Sequence, residues 1–314
     1  MPHETEGLVV QMNLDDPTSR PDWISGELYP FESRFFTTSP DHRMHYIDEG
    51  VGEPLVFVHG NPSWSFEFRH LIRELRPDFR CLAPDHIGFG LSSRSARRED
   101  LHPESHAHRF AALLDHLDLR DITLFMNDWG GPIGLDFVRR HPERVRRLVI
   151  ANSWCWPVSD DFHFKSFSFL MSSWIGQYMI RHHNMFVNKI MPKAVGDRSI
   201  LTPEIMAHYR NAQPSPTARA ANAALPSYIT DASDWLCSIW NNRATFVDKP
   251  VLLLWGLKDI AFRRKELEQW KSELPNHKLH IFEDCGHFLA EETPDRIISA
   301  LRDFMEQTRL RPGE

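Results

Sequence analysis

The fold of this chain is decided by one stretch of ten residues, Ile122-Thr123-Leu124-Phe125-Met126-Asn127-Asp128-Trp129-Gly130-Gly131. Its first half is apolar and partly β-branched, which predicts a buried strand of a parallel sheet. The two glycines at its end allow a following helix to pack closely against that strand. The stretch therefore predicts a strand, a sharp turn and a helix, with the side chain of Asp128 presented at the turn.

Asp128 stands at the turn position where a serine hydrolase carries its nucleophile, and no Gly-x-Ser-x-Gly sequence occurs in the chain. A carboxylate is ionised at neutral pH, so it can attack a saturated carbon atom directly. The exchange of serine for aspartate therefore predicts cleavage of a bond at an sp3 carbon. The alternative is structural, because aspartate is also a common N-cap and Asp128 could simply begin the helix.

Strand-like apolar runs alternate with amphipathic helical stripes along the rest of the chain. The runs cover residues 54–58, 79–84, 122–126, 148–151, 251–256 and 279–282. This alternation predicts the α/β class, with a mostly parallel central sheet and helices on both of its faces. Two earlier segments, residues 33–38 and 44–48, are expected to add an antiparallel edge.

One region interrupts the alternation, because residues 156–226 contain no parallel-strand pattern but many aromatic and aliphatic residues. We predict a helical cap there, inserted into a core domain formed by residues 1–155 and 227–314. As a lid, this cap would wall an apolar pocket at the carboxyl ends of the strands. Its apolar residues could instead form only the core of a helical subdomain, or serve self-association.

The composition of the 314 residues is that of an ordinary globular protein, with 41% hydrophobic and 25% charged residues. A formal net charge of −7 without a long basic run argues against nucleic acid as a partner. No apolar run is long enough to span a membrane, and residues 1–22 lack the apolar segment of a signal peptide. We therefore expect no membrane partner. Four cysteines without C-x-x-C spacing predict reduced thiols and a cytoplasmic location.

Two later loops supply chemical partners for Asp128. Asp259 comes just after the run over residues 251–256, and His287 comes just after the run over residues 279–282. The chain order matches that of a Ser, Asp or Glu, His triad, with Asp128 in the place of the serine. Each of the three residues follows the carboxyl end of a strand, where open parallel sheets hold their ligands.

A further loop, His59-Gly60-Asn61-Pro62, follows the run over residues 54–58. In hydrolases of this kind, that loop and the residue after the nucleophile donate backbone N–H groups to an oxyanion. Here these residues are Asn61 and Trp129, whose side chains carry additional, uncharged N–H donors. Two neutral donors facing an apolar pocket suit a large, weakly hydrated anion such as a departing halide.

Four motifs resemble those of the haloalkane dehalogenases, which belong to the α/β-hydrolase superfamily: His59-Gly60-Asn61-Pro62-Ser63-Trp64, Asp85-His86-Ile87-Gly88-Phe89-Gly90-Leu91-Ser92, Asn127-Asp128-Trp129-Gly130-Gly131 and Gly286-His287. The resemblance covers nearly the whole chain. It implies an α/β-hydrolase fold with a helical cap inserted after the sixth strand. It also implies that water converts a small apolar haloalkane to a primary alcohol, a halide and a proton, without a cofactor or a metal.

The resemblance also implies a role for individual residues. Asp128 is implied as the nucleophile, His287 as the base, and Asn61 with Trp129 as the donors that bind the halide. Pro226, at the end of the insertion, is implied to line the halide pocket.

The acid that orients His287 is implied to be Asp259. One branch of the family places a glutamate after the strand before the cap, but this chain has Asn152 there, which cannot carry a charge. Asp259 together with Asn61 and the stretch Trp154-Cys155-Trp156 resembles the third dehalogenase subfamily. Members of that subfamily tend to form large oligomers, which implies a homo-oligomer here.

Several other functions share parts of this pattern. Epoxide hydrolases use the same triad but activate the epoxide with cap tyrosines, for which Tyr178, Tyr209 and Tyr228 are the candidates. Fluoroacetate dehalogenases bind a carboxylate with arginines after the nucleophile, where this chain has Trp129-Gly130-Gly131. Coelenterazine luciferases share much of the loop set. A ligand-binding or scaffold protein without activity is the alternative from another class.

A cluster of histidines near residue 105 suggests a metal site at first sight. His102, His106 and His108 lie close together in the sequence. Histidines at the solvated start of a helix explain the same pattern, and we expect that arrangement and no metal.

Overall fold

The computed structural model describes residues 20–309, so the expectation about a signal peptide falls almost entirely outside the described residues. The centre of the described part is one eight-stranded sheet. Its strands are β1 (Arg34–Ser39), β2 (His42–Glu49), β3 (Pro54–Val58), β4 (Arg80–Pro84), β5 (Ile122–Asp128), β6 (Val145–Ser153), β7 (Val251–Gly256) and β8 (His277–Phe282).

The strands lie in the order β1-β2-β4-β3-β5-β6-β7-β8. β2 pairs antiparallel with β1 and with β4, and every other neighbouring pair is parallel. The mostly parallel sheet and its antiparallel edge are therefore confirmed. The strand order reverses at β3, which lies between β4 and β5, and ligands of open α/β sheets bind at such a reversal.

Twelve α-helices accompany the sheet in the described residues. They are α1 (Arg69–Leu75), α2 (Pro103–His116), α3 (Gly130–Arg140), α4 (Phe162–Ser172), α5 (Trp174–His183), α6 (Met191–Ala194), α7 (Pro203–Asn211), α8 (Ala220–Asp231), α9 (Ser233–Asn241), α10 (Arg264–Glu273), α11 (Leu289–Glu292) and α12 (Pro294–Gln307). A short π-helical turn, Phe186–Ile190, lies between α5 and α6.

The central strands are buried on both faces, which explains why β3, β5 and β7 are almost uninterrupted apolar runs. Along β3, Val56 and Val58 point into a core that α2, α3 and α9 cover. Leu55 and Phe57 point to the opposite side, into a second core that α1 and α12 cover. The predicted helices on both faces are therefore confirmed.

The predicted helical insertion follows β6, the sixth strand, and begins with α4. Its predicted end at residue 226 falls inside α8, because Pro226 lies within that helix, which continues to Asp231. α8 packs along α4 and α5 and therefore belongs to the insertion as a whole. A proline usually interrupts a helix, so the continuation of α8 past Pro226 is not apparent from the sequence. We propose that the cap comprises residues 156–231.

Candidate active site

The turn after β5 has the geometry of a nucleophile elbow. Asp128, the last residue of β5, has a φ of +50°, a left-handed conformation that few side chains adopt without a reason. The two glycines after Trp129 allow close contact: a Cβ atom on Gly130 would lie 2.0 Å from the carbonyl oxygen of Val58, and one on Gly131 would lie 1.9 Å from Ser153 Oγ. The alternative role of Asp128 as a helix cap does not hold, because Trp129 occupies the N-cap position of α3 and no side chain caps this helix.

The loop after β3 lies directly against the Asp128 side chain. The backbone N–H of Asn61 donates a hydrogen bond of 3.1 Å to Asp128 Oδ2. A Cβ atom on Gly60 would lie 2.4 Å from the Cβ atom of Asp128, so only glycine fits beside the nucleophile. On the other side, Ser153 Oγ donates a bond of 2.6 Å to the Asp128 carbonyl oxygen and holds the strained turn in place. Asn61 therefore holds the carboxylate of Asp128, and Ser153 holds its backbone.

The structure brings the three triad residues together. His287 Nε2 lies 3.7 Å from Asp128 Oδ2, and His287 Nδ1 lies 2.8 Å from Asp259 Oδ2. One ring nitrogen thus faces the Asp128 carboxylate while the other is held by the Asp259 carboxylate, which is the arrangement that a general base requires. The side chains of His287 and Asp259 are buried.

Asn152 holds the Asp259 side chain in place. No pattern in the sequence indicates this contact. Its Nδ2 donates a bond of 2.6 Å to Asp259 Oδ2, the same oxygen that bonds to His287. Its Oδ1 accepts from the backbone N–H of Gly256 at 2.8 Å, so the amide orientation is fixed. The backbone N–H of Ala261 donates to the other oxygen, Asp259 Oδ1, at 2.6 Å. The residue that replaces the expected glutamate therefore orients the acid instead of supplying it.

The electrostatics of His287 depend on two carboxylates. Burial by itself lowers the pKa of His287, but the negative charges of Asp259 and Asp128 and the hydrogen bonds to them outweigh burial. Together they raise the pKa of His287 well above its ordinary value. The two carboxylates therefore favour the protonated imidazole, and loss of the Asp128 charge would lower the pKa of His287.

Asp128, Asn61, Trp129 and His287 all open into one cavity of about 130 Å³. The remaining lining is almost entirely apolar, and a large part of it comes from the helical insertion: Phe164, Phe167, Phe186, Ile190, Ala194, Pro226 and Ile229. The structure therefore places Pro226 at the cavity, as the sequence implied. Asp259 does not line the cavity and acts through His287.

The tyrosines that an epoxide hydrolase would need lie elsewhere. Among the described residues, none of those lining the cavity is a tyrosine or an arginine. The hydroxyl of Tyr209 is buried and donates to Glu291, and that of Tyr228 donates to the carbonyl oxygen of Arg98. Tyr178 is exposed on the outside of the insertion.

A buried charged network lies near His287. Arg69 and Glu291 form a bidentate ion pair between side chains that are almost completely buried. Nearby, Glu67 is buried and its Oε2 has no hydrogen-bond partner. Burial raises the pKa of Glu67 to about 7. Asn127 Nδ2 connects the elbow to this region by donating to the His287 carbonyl oxygen at 3.3 Å.

The histidine cluster near residue 105 requires a correction. His106 is buried in the protein and not solvated. Its ring lies 5.3 Å from that of His86, which in turn lies 4.4 Å from that of His59. Burial lowers the pKa of all three histidines, so the cluster is uncharged near neutral pH. Within residues 20–309, no three His, Cys, Asp or Glu side chains are arranged to hold a metal ion.

Comparison with known proteins identifies the class to which this site belongs. The family model described as alpha/beta hydrolase fold matches residues 53–294. The chain therefore belongs to the α/β-hydrolase fold family. Haloalkane dehalogenase 2 of Mycobacterium tuberculosis is 41% identical over 277 residues, which are 88% of this chain and 95% of that protein. Within the larger class, the chain is thus a member of the haloalkane dehalogenase family.

Solved structures agree with this assignment. A variant of haloalkane dehalogenase DatA from Agrobacterium tumefaciens has a TM-score of 0.80 at 25% identity, with 90% of this chain and 100% of that chain covered. An ancestral haloalkane dehalogenase has a TM-score of 0.78 at 26% identity, with 88% of this chain and 99% of that chain covered.

A relative with a different activity is also similar over most of the chain. The cis-3-alkyl-4-alkyloxetan-2-one decarboxylase of Shewanella oneidensis is 34% identical over 293 residues, with 90% of each chain covered. One scaffold therefore carries two named activities among the relatives, and the site must be examined for both.

Proposed function

We propose that this protein hydrolyses haloalkanes to an alcohol, a halide and a proton through an alkyl ester on Asp128. The observation that carries the proposal is the position of the Asp128 carboxylate. It lies between the Asn61 N–H and His287 Nε2 and faces an apolar cavity that the uncharged side chains of Asn61 and Trp129 also line.

In the first step, Asp128 attacks the carbon that bears the halogen. A bond forms between this carbon and a carboxylate oxygen, and the carbon–halogen bond breaks with its electron pair leaving on the halide. The side-chain N–H groups of Asn61 and Trp129 are proposed to bind that anion. Their lack of charge suits a weakly hydrated halide in an apolar cavity, because a full positive charge would be costly to bury there.

The second step uses the change in charge that the first step produces. Formation of the ester removes the negative charge of Asp128, which is one of the two charges that raise the pKa of His287. The imidazole can then release its proton and accept one from a water molecule. Asp259, held by Asn152, keeps the ring in the tautomer whose Nε2 faces the ester.

Water then attacks the carboxyl carbon of Asp128. The backbone N–H of Asn61, which bonds to Asp128 Oδ2 at 3.1 Å, is placed to stabilise the negative charge that develops on this oxygen. The backbone N–H of Trp129 is proposed as the second donor. As the intermediate collapses, His287 returns its proton to the leaving oxygen, the alcohol is released, and loss of the remaining hydroxyl proton restores the Asp128 carboxylate.

Other hydrolytic substrates fit the cavity less well. An epoxide opens to an alkoxide, which needs an acidic donor, and none of Tyr178, Tyr209 and Tyr228 lines the cavity. Fluoroacetate carries a carboxylate, and no arginine is present among the lining residues. A luciferase or a binding protein without activity would share this geometry, so assays must separate these functions from the proposed one.

Decarboxylation of an oxetan-2-one ring is the second candidate, favoured by the Shewanella oneidensis relative at 34% identity. Asp128 could attack the saturated ring carbon bonded to the ring oxygen, which would form an alkyl ester and release a carboxylate. Loss of carbon dioxide would then send an electron pair into a new carbon–carbon double bond and expel Asp128. This route needs the nucleophile and an apolar cavity, but it needs no water activated by His287.

The two candidates are separated by measuring products from bromoalkanes, iodoalkanes, epoxides and a dialkyl oxetan-2-one. Dehalogenation predicts sustained halide release by the wild type. In the His287→Gln variant we expect one equivalent of halide per active site and an alkylated Asp128. Carbon dioxide release that persists in His287→Gln, without halide release from any haloalkane, would favour decarboxylation. Epoxide opening alone would overturn both candidates.

A further inference from the structure

The outer surface of the insertion carries an apolar face that the cavity does not use. Six large side chains of α4 and α5 are between 51% and 84% exposed: Phe162, Phe169, Leu170, Trp174, Ile175 and Tyr178. We call this set the outer aromatic face. Elsewhere in residues 20–309 the exposed large apolar side chains are isolated, at Val51, Ile260 and Ile281. A monomer rarely leaves so many adjacent apolar side chains exposed without a partner.

Helix α4 is apolar on two sides, and only one of them is needed for the cavity. Phe164 and Phe167 face inward and line the cavity. Phe162 and Phe169 are 84% and 79% exposed on the outside of the same helix. Packing within the protein therefore accounts for the inner phenylalanines and leaves the outer ones unexplained.

The outer aromatic face is continuous across α4 and α5. A Cβ atom on Gly176 would lie 2.3 Å from the carbonyl oxygen of Leu170, so the start of α5 touches the end of α4. A single residue, Ser173, separates the two helices. Trp174 therefore extends the surface that Phe169 and Leu170 begin.

The charge around this face differs from that of the whole chain. Residues 162–196 contain no Asp or Glu, although the chain has 43 acidic residues and a net charge of −7. The same segment holds four basic residues, Lys165, Arg181, Lys189 and Lys193. Within the described part of the chain, none of the four lies within 4.0 Å of a carboxylate. The segment thus has an excess of positive charge, and Asp161 just before it is already paired with Arg263 and Lys265.

We propose that the outer aromatic face docks onto the surface of an anionic lipid bilayer. Exposed Trp, Tyr and Phe side chains beside basic residues are what an interfacial helix uses to enter the boundary between headgroups and acyl chains. The basic residues add attraction to anionic lipids. No helix within residues 20–309 is long and apolar enough to cross a membrane, so the contact is peripheral. This revises the expectation that a membrane is not a partner, which rested on the lack of a spanning segment.

Charge argues against a second copy of the chain as the occupant of this face. In a symmetric dimer through this face, the segment 162–196 would pack near its own copy, and both copies carry the same excess of basic residues. Like charges opposed in this way disfavour the contact. An anionic surface removes the repulsion, and it also accepts the apolar side chains.

Docking in this orientation would place the cavity wall close to the lipid, because the inner side of α4 lines the cavity. His163 Nε2 lies 3.1 Å from the carbonyl oxygen of Ala261, which connects the start of α4 to another lining loop. The neighbouring Ile260 is both a lining residue and 48% exposed, so it lies at the cavity opening. Apolar compounds dissolved in the bilayer would then reach the site without first entering bulk water. The docking proposal itself does not depend on which reaction the site catalyses.

The test is sedimentation of the full chain with vesicles of phosphatidylglycerol or of phosphatidylcholine. We expect binding to phosphatidylglycerol vesicles that weakens as salt is added, and much weaker binding to phosphatidylcholine vesicles. The triple variant Phe162→Ser, Phe169→Ser, Trp174→Ser should lose at least about tenfold in affinity. The charge variant Lys165→Gln, Lys189→Gln, Lys193→Gln should lose about fivefold for each charge removed.

A matched control carries Val51→Ser and Ile281→Ser, which remove exposed apolar side chains far from the insertion in the sequence. This variant should bind vesicles as the wild type does. Equal sedimentation of the wild type and the triple variant would overturn the proposal. So would sedimentation-velocity data in which the wild type is a stable oligomer, the triple variant is a monomer, and neither binds vesicles. That outcome would assign the face to contacts between copies of this chain.

Discussion

The carboxyl edge of the sheet and the helical insertion above it contribute different things to the same cavity. The sheet edge supplies the groups that carry charge or donate hydrogen bonds, namely Asp128, His287, Asn61 and Trp129. The side chains of Asp128 and His287 are held there by hydrogen bonds to neighbouring loops. The insertion supplies phenylalanine and aliphatic side chains that exclude water and define the available space.

This difference means that the two regions should respond differently to substitution. A change at the sheet edge removes a reacting group or its orientation, so it should affect the chemical steps. A change in the insertion alters only apolar contacts with the substrate, so it should affect binding and substrate range. The following predictions test this division.

The largest effect is expected from Asp128→Ala, which removes the proposed nucleophile. Halide release should fall by at least about 10⁴-fold, because no other group at the cavity can form the ester. The variant should also lower the pKa of His287, which ring-proton NMR can measure by comparison with His287→Gln. Asp160→Ala, at an exposed carboxylate, serves as the control and should leave activity unchanged. Residual activity near the wild-type value would contradict the assignment of Asp128.

A loss of about 10³-fold in turnover is expected from Asp259→Asn, which removes the charge that orients His287. The pKa of His287 should move down toward its ordinary value, because the Asp259 charge is the largest factor that raises it. The control is Asp284→Asn, an exposed carboxylate three residues before His287. An unchanged rate in Asp259→Asn would mean that another residue orients the base.

An intermediate effect is expected from Trp129→Phe, which keeps an aromatic ring and removes the indole N–H. Loss of one donor to the departing halide should reduce kcat/KM for bromoalkanes by about 10²-fold. Trp156→Phe makes the same change at a buried tryptophan that does not line the cavity, and it should have little effect. Equal losses in the two variants would point to a structural effect instead of halide binding.

A smaller effect is expected from Phe167→Ala, in the insertion. Phe167 lines the cavity, so its loss should raise KM for short haloalkanes about tenfold while the rate of ester formation changes little. Phe169→Ala is the matched control on the same helix, because Phe169 is 79% exposed. A fall in the rate of ester formation in Phe167→Ala would show that the insertion also contributes to the chemistry.

The smallest effect concerns stability and the buried Glu67. The ordinary pKa of a glutamate is 4.5, whereas burial raises the pKa of Glu67 in the folded protein to about 7. The folded state therefore binds the proton more tightly, and the free energy of unfolding should fall as the pH rises through this interval.

The free energy of unfolding should fall less in Glu67→Gln than in the wild type between about pH 5 and about pH 8. The difference should be on the order of 2 kcal/mol. Urea unfolding at the two pH values measures it, with Glu283→Gln as an exposed control. Identical pH dependence in wild type and Glu67→Gln would show that Glu67 is not protonated in the folded state at neutral pH.

The contrast between the two regions also explains what the sequence could predict. The parallel strands that are buried on both faces, such as β5 and β7, are visible in the sequence as continuous apolar runs. The site residues at their ends, such as Asp128 and His287, come together in the structure because parallel strands share one carboxyl edge. Hydrogen bonds between side chains do not leave such a pattern, so the bond from Asn152 to Asp259 was missed.

One prediction was wrong for an identifiable reason, and one boundary stays a proposal. The insertion was predicted to end at Pro226, but this residue lies inside α8, which continues to Asp231 and packs on α4. His106 was expected to be solvated, although it lies one turn before the buried Phe110 on α2. That helical spacing was available in the sequence and could have placed the ring inside.

The most direct test of the central claim is a single turnover of a bromoalkane in heavy-oxygen water, with the enzyme in excess over the substrate. The ester mechanism predicts that the label enters the Asp128 carboxylate, where mass spectrometry of the peptide will find it, and that the alcohol stays unlabelled. Label in the alcohol of the first turnover would mean that water attacks the substrate directly, and it would contradict the role of Asp128 as nucleophile.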